Sequence, residues 1–168
     1  PGERRALSLE TADADGRRFV YRYLAAGDEP EGAHVLEVTL GDADGNVAEG
    51  ISGGSLAFDF TPPAADDVSS SAQVLSAGQA VDVRFTLDEA TAAPPQLTLE
   101  REGVPPRALE RIDAGHHRFA ATGAEAEGAY AVWLAAEDAA GNVARERLAD
   151  VRLDFSPPRV VSAQISPA

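Results

Sequence analysis

Residues 127–143 read Glu127-Gly128-Ala129-Tyr130-Ala131-Val132-Trp133-Leu134-Ala135-Ala136-Glu137-Asp138-Ala139-Ala140-Gly141-Asn142-Val143, an alternating strand that runs into an Asp-x-x-Gly-Asn turn. The pattern occurs earlier as Glu31-Gly32-Ala33-His34-Val35-Leu36-Glu37-Val38-Thr39-Leu40-Gly41-Asp42-Ala43-Asp44-Gly45-Asn46-Val47. A period of two places one face of each strand toward a core, and Asp and Asn around a glycine bend the chain by bonding their own backbone. Asp42 and Asp138 are 96 residues apart, a spacing that fits one small β-sandwich per repeat.

Outward from these stretches the chain reads as short strands separated by turns. In the first repeat Ala6-Leu7-Ser8-Leu9-Glu10 is a strand and Asp13-Ala14-Asp15-Gly16 a turn. The next arm, residues 18–24, places Phe19, Tyr21 and Tyr23 on one face, expected to point to the core. After residues 34–41 and the Asp42 turn, the chain returns through residues 55–60 and ends at Thr61-Pro62-Pro63, which reads as a short semi-rigid linker.

The second repeat is fuller. Strands are expected at residues 71–75 and at residues 80–87, the latter with Val81, Val83, Phe85 and Leu87 on one face. Gln96-Leu97-Thr98-Leu99-Glu100 echoes Leu7-Ser8-Leu9-Glu10, and residues 107–112 and 117–121 are further short strands. Either Tyr130-Val132-Leu134 or Ala131-Trp133-Ala135 supplies the inner face of the next, residues 148–155 close the unit, and Ser156-Pro157-Pro158 repeats the proline punctuation.

These readings divide the chain into a partial sandwich at 1–61, a complete one at 62–156, and residues 157–168 as a linker and first strand of a further repeat or a donated strand. Ser162-Ala163-Gln164-Ile165 matches Ser71-Ala72-Gln73-Val74, and the first repeat has no counterpart of the two strands over residues 71–87. Repeat counting therefore expects a segment of a longer array. A strand with four buried apolar side chains represents on the order of 6 to 10 kcal/mol of burial, comparable to the stability of a small domain, so the first unit is expected to be marginal unless another segment covers it.

Composition narrows the class of partner. The net charge is −14, from 28 acidic against 14 basic residues, and nucleic acid or an anionic membrane would need a basic face. The acid is spread rather than collected in a tail, as on a soluble surface that resists self-association. Cysteine is absent, which excludes disulfides and thiolate chemistry and leaves stability to burial and strand pairing. No stretch approaches the length of a membrane-spanning apolar segment, and Pro1-Gly2-Glu3-Arg4-Arg5 has neither a signal-peptide core nor an initiator Met.

The motif Glu-Gly-x-Tyr-x-Val-x-x-x-x-x-Asp-x-x-Gly-Asn, followed by a final strand and Asp-Phe-(Ser/Thr)-Pro-Pro, resembles the tandem bacterial immunoglobulin-like repeats of large secreted and cell-surface proteins. The resemblance covers nearly the whole chain, with His34 standing where Tyr130 does. It implies an all-β chain of tandem Ig-like antiparallel Greek-key sandwiches, the first lacking its first two strands. It also implies an extracellular or cell-surface location, with periplasm as the alternative, and a non-catalytic role as stalk or spacer in an adhesin or fibre. Partners would be neighbouring repeats or copies of the chain.

Candidate chemistry is sparse. Asp42, Asp44 and Asn46 resemble an oxygen-rich calcium loop, although the motif lacks a distal bidentate Glu and Ala140 replaces Asp44 in the second copy; a self-bonded turn explains both. No other cofactor is expected. Adjacent His116 and His117 point to opposite faces of a strand and cannot easily share a metal, and His34 is isolated. No nucleophile elbow, zinc-protease helix or phosphate loop is present; the carboxylate pairs Asp66-Asp67 and Asp88-Glu89 fall in turn or linker positions, and Trp133 is expected in the core. Two further functions stay open. Val160, Val161, Ala163 and Ile165 could be a strand donated to the open unit of another copy, building a filament, or the chain could be a carbohydrate- or peptide-binding accessory module of a secreted enzyme.

Overall fold

The computed structural model describes residues 4–164, and every regular element among them is a strand. The chain separates into two compact units, Pro1–Phe60 and Thr61–Ala168. The first holds β1 (Ser8–Ala12), β2 (Phe19–Arg22), β3 (Gly32–Gly41) and β4 (Val47–Phe58). The second holds β5 (Ala65–Ser70), β6 (Val74–Leu75), β7 (Ala80–Leu87), β8 (Gln96–Arg101), β9 (Val104–Ala108), β10 (Glu110–Asp113), β11 (His116–Ala120), β12 (Gly128–Glu137) and β13 (Val143–Leu153).

The second unit is an immunoglobulin-like sandwich. One sheet has the order β10-β11-β7-β5 and the other β6-β13-β12-β8-β9, with the chain crossing between them after β5, β6, β7, β9 and β11 in Greek-key fashion. All pairings are antiparallel except β6 with β13, where Val74 and Leu75 sit opposite Arg152 and Leu153. Alternation decides the faces: Val81, Val83 and Phe85 from β7 meet Leu97 and Leu99 from β8, Val132 and Leu134 from β12, and Val151 and Leu153 from β13 in one buried cluster. Fully burying such a side chain contributes about 1.5–3 kcal/mol.

The first unit is two hairpins, β1 with β2 and β3 with β4. Among the described residues its one buried side chain is that of Glu29, and no hydrophobic residue of the unit is buried. Its strands match the last strands of the second unit in order, and several loop residues match in type. Gly27, Glu29, Glu31 and Gly32 match Gly123, Glu125, Glu127 and Gly128, so β2 stands for β11 and β3 and β4 stand for β12 and β13. Among the described residues the unit shows no counterpart of the strands over residues 71–87, nor of β5, β8 and β9.

Several local expectations change. The echo between Leu7-Ser8-Leu9-Glu10 and residues 96–100 is not a structural equivalence, because β1 pairs with β2 as β10 pairs with β11; a four-residue alternation is too short to tell strands apart. The expected strand at 107–112 is two strands in different sheets, β9 and β10, hinged at buried Leu109. Asp66 and Asp67 lie on β5, a strand without alternation that is specified by pairing Ala65 with Leu87 and Ser70 with Val83 and bulges between Asp66 and Ser69. Pro63 is buried rather than solvated, and from Ala64 the chain is bonded into the second unit through Asp88 Oδ1, 2.8 Å from the Ala64 nitrogen.

This asymmetry of burial sets an expected asymmetry of stability. L134A should destabilise the second unit by about 2–5 kcal/mol, whereas V38A at the equivalent position of the first should cost about 1 kcal/mol or less. Amide hydrogen exchange should be far slower in β7, β11 and β12 than in β2, β3 and β4; equal protection of the two units would contradict this reading.

Candidate functional site

The Asp-x-x-Gly-Asn corners are self-satisfied turns. Asp42 Oδ1 accepts from the backbone N–H groups of Asp44 and Asn46 at 3.0 and 2.9 Å, and Oδ2 accepts from the Asn46 side-chain Nδ2 at 2.8 Å. In the second copy Asp138 Oδ1 accepts from Gly141 and Asn142 at 2.7 and 2.8 Å, and Oδ2 again from the Asn142 amide at 2.8 Å. Gly45 and Gly141 have φ of 87° and 94°, where a side chain would be strained.

These bonds fix the electrostatics. The Asn46 side chain first, and then the turn's N–H groups, hold the Asp42 carboxyl below the usual carboxylate range. Burial alone would raise Asp138, yet the Asn142 amide and the backbone N–H groups of Asn142, Gly141 and Ala140 together hold it below that range too. Of the calcium candidates, Asp42 therefore spends both carboxylate oxygens on donors of its own loop. Asn46 turns its amide N–H₂, not its carbonyl, toward Asp42, and Asp44 contributes a backbone N–H.

A second corner joins β11 to β12. The Tyr130 hydroxyl donates to the Ala126 carbonyl at 2.7 Å, the tyrosine corner of Ig-like sandwiches. In the first unit the His34 ring makes the same bond, its Nε2 lying 2.6 Å from the Pro30 carbonyl. The preceding loop is tied by a glutamate in both copies: Glu125 accepts from the N–H groups of Thr122 and Gly123, and Glu29 from those of Ala26 and Gly27. Glu127 accepts from the Phe155 N–H and Glu31 from the Phe60 N–H, locking the end of each last strand to the start of its partner.

The first unit adds a polar cluster to this corner. Tyr23 replaces Phe119, and its hydroxyl donates to Glu29 Oε1 at 2.5 Å while Arg5 Nη1 donates to the same oxygen at 3.0 Å. The Ala26 N–H and then the Tyr23 hydroxyl pull the Glu29 carboxyl down to about 2. Beside this cluster lies a groove of about 170 Å³ lined by Leu7, Tyr23, His34, Leu36, Leu56 and Phe58. Phe58 stacks on Phe60 and is flanked by Tyr23 and His34 at centroid distances of 5.7 and 5.2 Å.

The second unit's histidines have separate surroundings, as their opposite faces require. His116 Nε2 lies 2.6 Å from Asp82 Oδ1, and Arg118 Nε donates to the same oxygen at 2.9 Å; Arg118 and then His116 hold Asp82 down to about 2. His117 faces the core, stacked on Phe85 at 5.8 Å, and among the described residues neither ring nitrogen has a partner at hydrogen-bond geometry, the Pro95 backbone lying nearby. Burial lowers its pKa foremost, Arg111 and His116 add to that, and the nearby Pro95 backbone and Asp113 oppose it without prevailing.

Trp133 is not in the core. Its strand turns Tyr130, Val132 and Leu134 inward, and the indole lies half-buried on the outer face with the Arg145 guanidinium 4.0 Å from its ring centroid. Arg145 Nη2 donates to Glu100 Oε2 at 2.7 Å, so one ring face is taken by an ion pair. Among the strand-donation candidates, Val160, Val161 and Ala163 are exposed and in no strand, and Ile165 lies outside the described residues.

No protein-family model matches the chain, and no curated protein does. Among solved structures it is weakly similar to SGBP-B of the Bacteroides ovatus mixed-linkage glucan utilization locus, solved in complex with a mixed-linkage heptasaccharide. The identity is 16% and the TM-score 0.30, over 88% of this chain and 37% of that one. At that score the likeness carries no argument about this chain. Among the described residues no helix is long and apolar enough to cross a membrane.

Two outcomes follow from this geometry. Thermal melts in chelator and in millimolar calcium should coincide, since the Asp42 carboxylate is already engaged; a calcium-dependent rise would restore the loop as a cation site. The lowered His117 pKa means that the unfolded chain takes up the proton first, so the second unit should lose stability as pH falls below the ordinary 6.5. H117L should flatten that part of the pH dependence in a denaturant titration.

Proposed function

We propose that the chain is a non-catalytic spacer, a run of bacterial immunoglobulin-like repeats in an exported protein of the cell surface, of a fibre or of the periplasm. The observation that carries this reading is the repetition, 96 residues apart, of one bonded corner, Asp42 with Asn46 and Asp138 with Asn142. A unit that recurs with its structural bonds intact while its other side chains vary is selected for shape. Each complete sandwich is a stiff bead, and proline pairs at 62–63 and 157–158 end each copy where further pairing would otherwise extend the sheet.

The surface supports the same reading. A net charge of −14 keeps neighbouring copies apart, and the partners of such a spacer are the adjoining repeats. The outer-face Trp133, which a glycan-binding module would offer as a stacking platform, is capped on one side by Arg145.

Force spectroscopy on the chain held by its ends tests the proposal. The second unit should unfold in one cooperative event with a contour-length gain of about 30 nm, from about 3.5 Å per extended residue. Gradual yielding without a discrete event would overturn the mechanical role.

A further inference from the structure

We propose that Asp44, with Asp15 as its counterpart in the other hairpin of the first unit, is a site of spontaneous covalent modification: each rearranges through a succinimide to isoaspartate and so opens the turn that it belongs to. The proposal does not depend on the spacer reading. Asp44-Gly45 and Asp15-Gly16 are the two Asp-Gly pairs of the sequence. In the reaction the backbone nitrogen of the glycine attacks Cγ of the preceding aspartic acid. A C–N bond forms, the carboxyl hydroxyl leaves with the amide proton as water, and a five-membered imide results. Solvent water then opens the ring. Opening at the side-chain carbonyl restores aspartate; opening at the backbone carbonyl leaves the chain running through Cγ, one methylene longer, with no net gain or loss of atoms.

The structure presents what this chemistry needs at both positions. The attacking nitrogen must be unhindered, and glycine carries no side chain; even a Cβ placed on Gly45 or Gly16 would meet nothing within 4 Å. The carboxyl must be able to turn onto the backbone. Asp44 and Asp15 are exposed, and among the described residues no hydrogen bond or ion pair engages either carboxyl, whereas Asp42 and Asp13 beside them are held by the N–H groups of their own turns. The glycine amide must be loosely held, and the Gly45 and Gly16 N–H groups donate to the Asp42 and Asp13 carbonyls at 3.2 and 3.1 Å, the long end of the usual range. The matching corner of the second unit has Ala140 before Gly141 and offers no carboxyl to the glycine nitrogen.

The added methylene falls inside the rings of bonds that close these turns. The Asn46 N–H donates to Asp42 Oδ1 at 2.9 Å and the Asp42 N–H to the Asn46 carbonyl at 3.0 Å, and both bonds span the point of insertion. At the other turn the Arg17 and Arg18 N–H groups donate to Asp13 Oδ1 at 2.7 and 3.1 Å, and the Asp13 N–H to the Arg18 carbonyl at 2.9 Å, across the same point. Isoaspartate at 44 therefore unfastens β3 from β4 at their turn, and isoaspartate at 15 does the same between β1 and β2. The Asp138 corner keeps its bonds.

The test ages the full chain in native buffer and maps its peptides by electron-transfer fragmentation, which separates isoaspartate from aspartate at the same mass. Isoaspartate should accumulate at 44 and 15 and stay at background at 13, 42 and 138. D44E, in which closure would need a six-membered ring, should lose the signal at 44 and keep it at 15. Ring closure expels water from the protonated carboxyl, so accumulation should slow as pH rises above the carboxylate range. Amide exchange in the aged chain should quicken at Gly45 and Asn46 and stay unchanged at Gly141 and Asn142. Background levels at both 44 and 15 in native buffer would overturn the proposal. So would accumulation that appears only in denaturant, or that is equal at Asp42 and Asp44, since either would make the reaction a property of the unfolded chain.

Discussion

The structure depends on one constraint: a β-sheet with an apolar face must bury it against another. In the second unit Val83 and Phe85 from one sheet and Leu99, Val132 and Leu134 from the other fill the same space, and each side chain is removed from water by the opposite layer. The first unit carries matched inner-facing residues without that layer, and its only buried side chain among the described residues is a glutamate. Burial, not strand pairing, separates a finished sandwich from two hairpins.

What the hairpins keep is local. The Asp42 turn, the Glu29 loop and the His34 corner are closed by bonds between residues at most a few positions apart, so they form without a second sheet. Their counterparts at Asp138, Glu125 and Tyr130 have the same bonds in a buried setting. The substitutions between the copies are informative. Tyr23 for Phe119 and His34 for Tyr130 make the inner face of the first unit more polar at one end, where Arg5 and Glu29 close over it.

The outer surfaces are governed by charge. Asp82 with His116 and Arg118, and Glu100 with Arg145 above Trp133, pair a minority of arginines with an excess of acid. The exposed pairs, Arg118 with Asp82 and Arg145 with Glu100, contribute little to stability individually. His117 is the exception, a titratable ring held inside the core with no partner at hydrogen-bond geometry among the described residues.

Local chemistry was legible in the sequence and partnership was not. The repeat, the alternating β12 strand and the Asp-Asn corners all follow from residue order, because turns and alternation are set by neighbours in the chain. The sequence defined two faces for β12 and expected Trp133 in the core, and that expectation fails because a period of two does not say which face meets another sheet; the structure turns Val132 in and Trp133 out. It gave no sign of β5, whose Ala-Asp-Asp-Val-Ser-Ser carries no pattern and is a strand only because β7 offers it an edge. It likewise left Asp42 and Asn46 open between a cation loop and a turn; in the structure the Asn46 side-chain amide donates to Asp42 Oδ2. Sequence determined the local bends and faces of this protein; tertiary structure decided which face is covered, because coverage depends on strands far away in the chain.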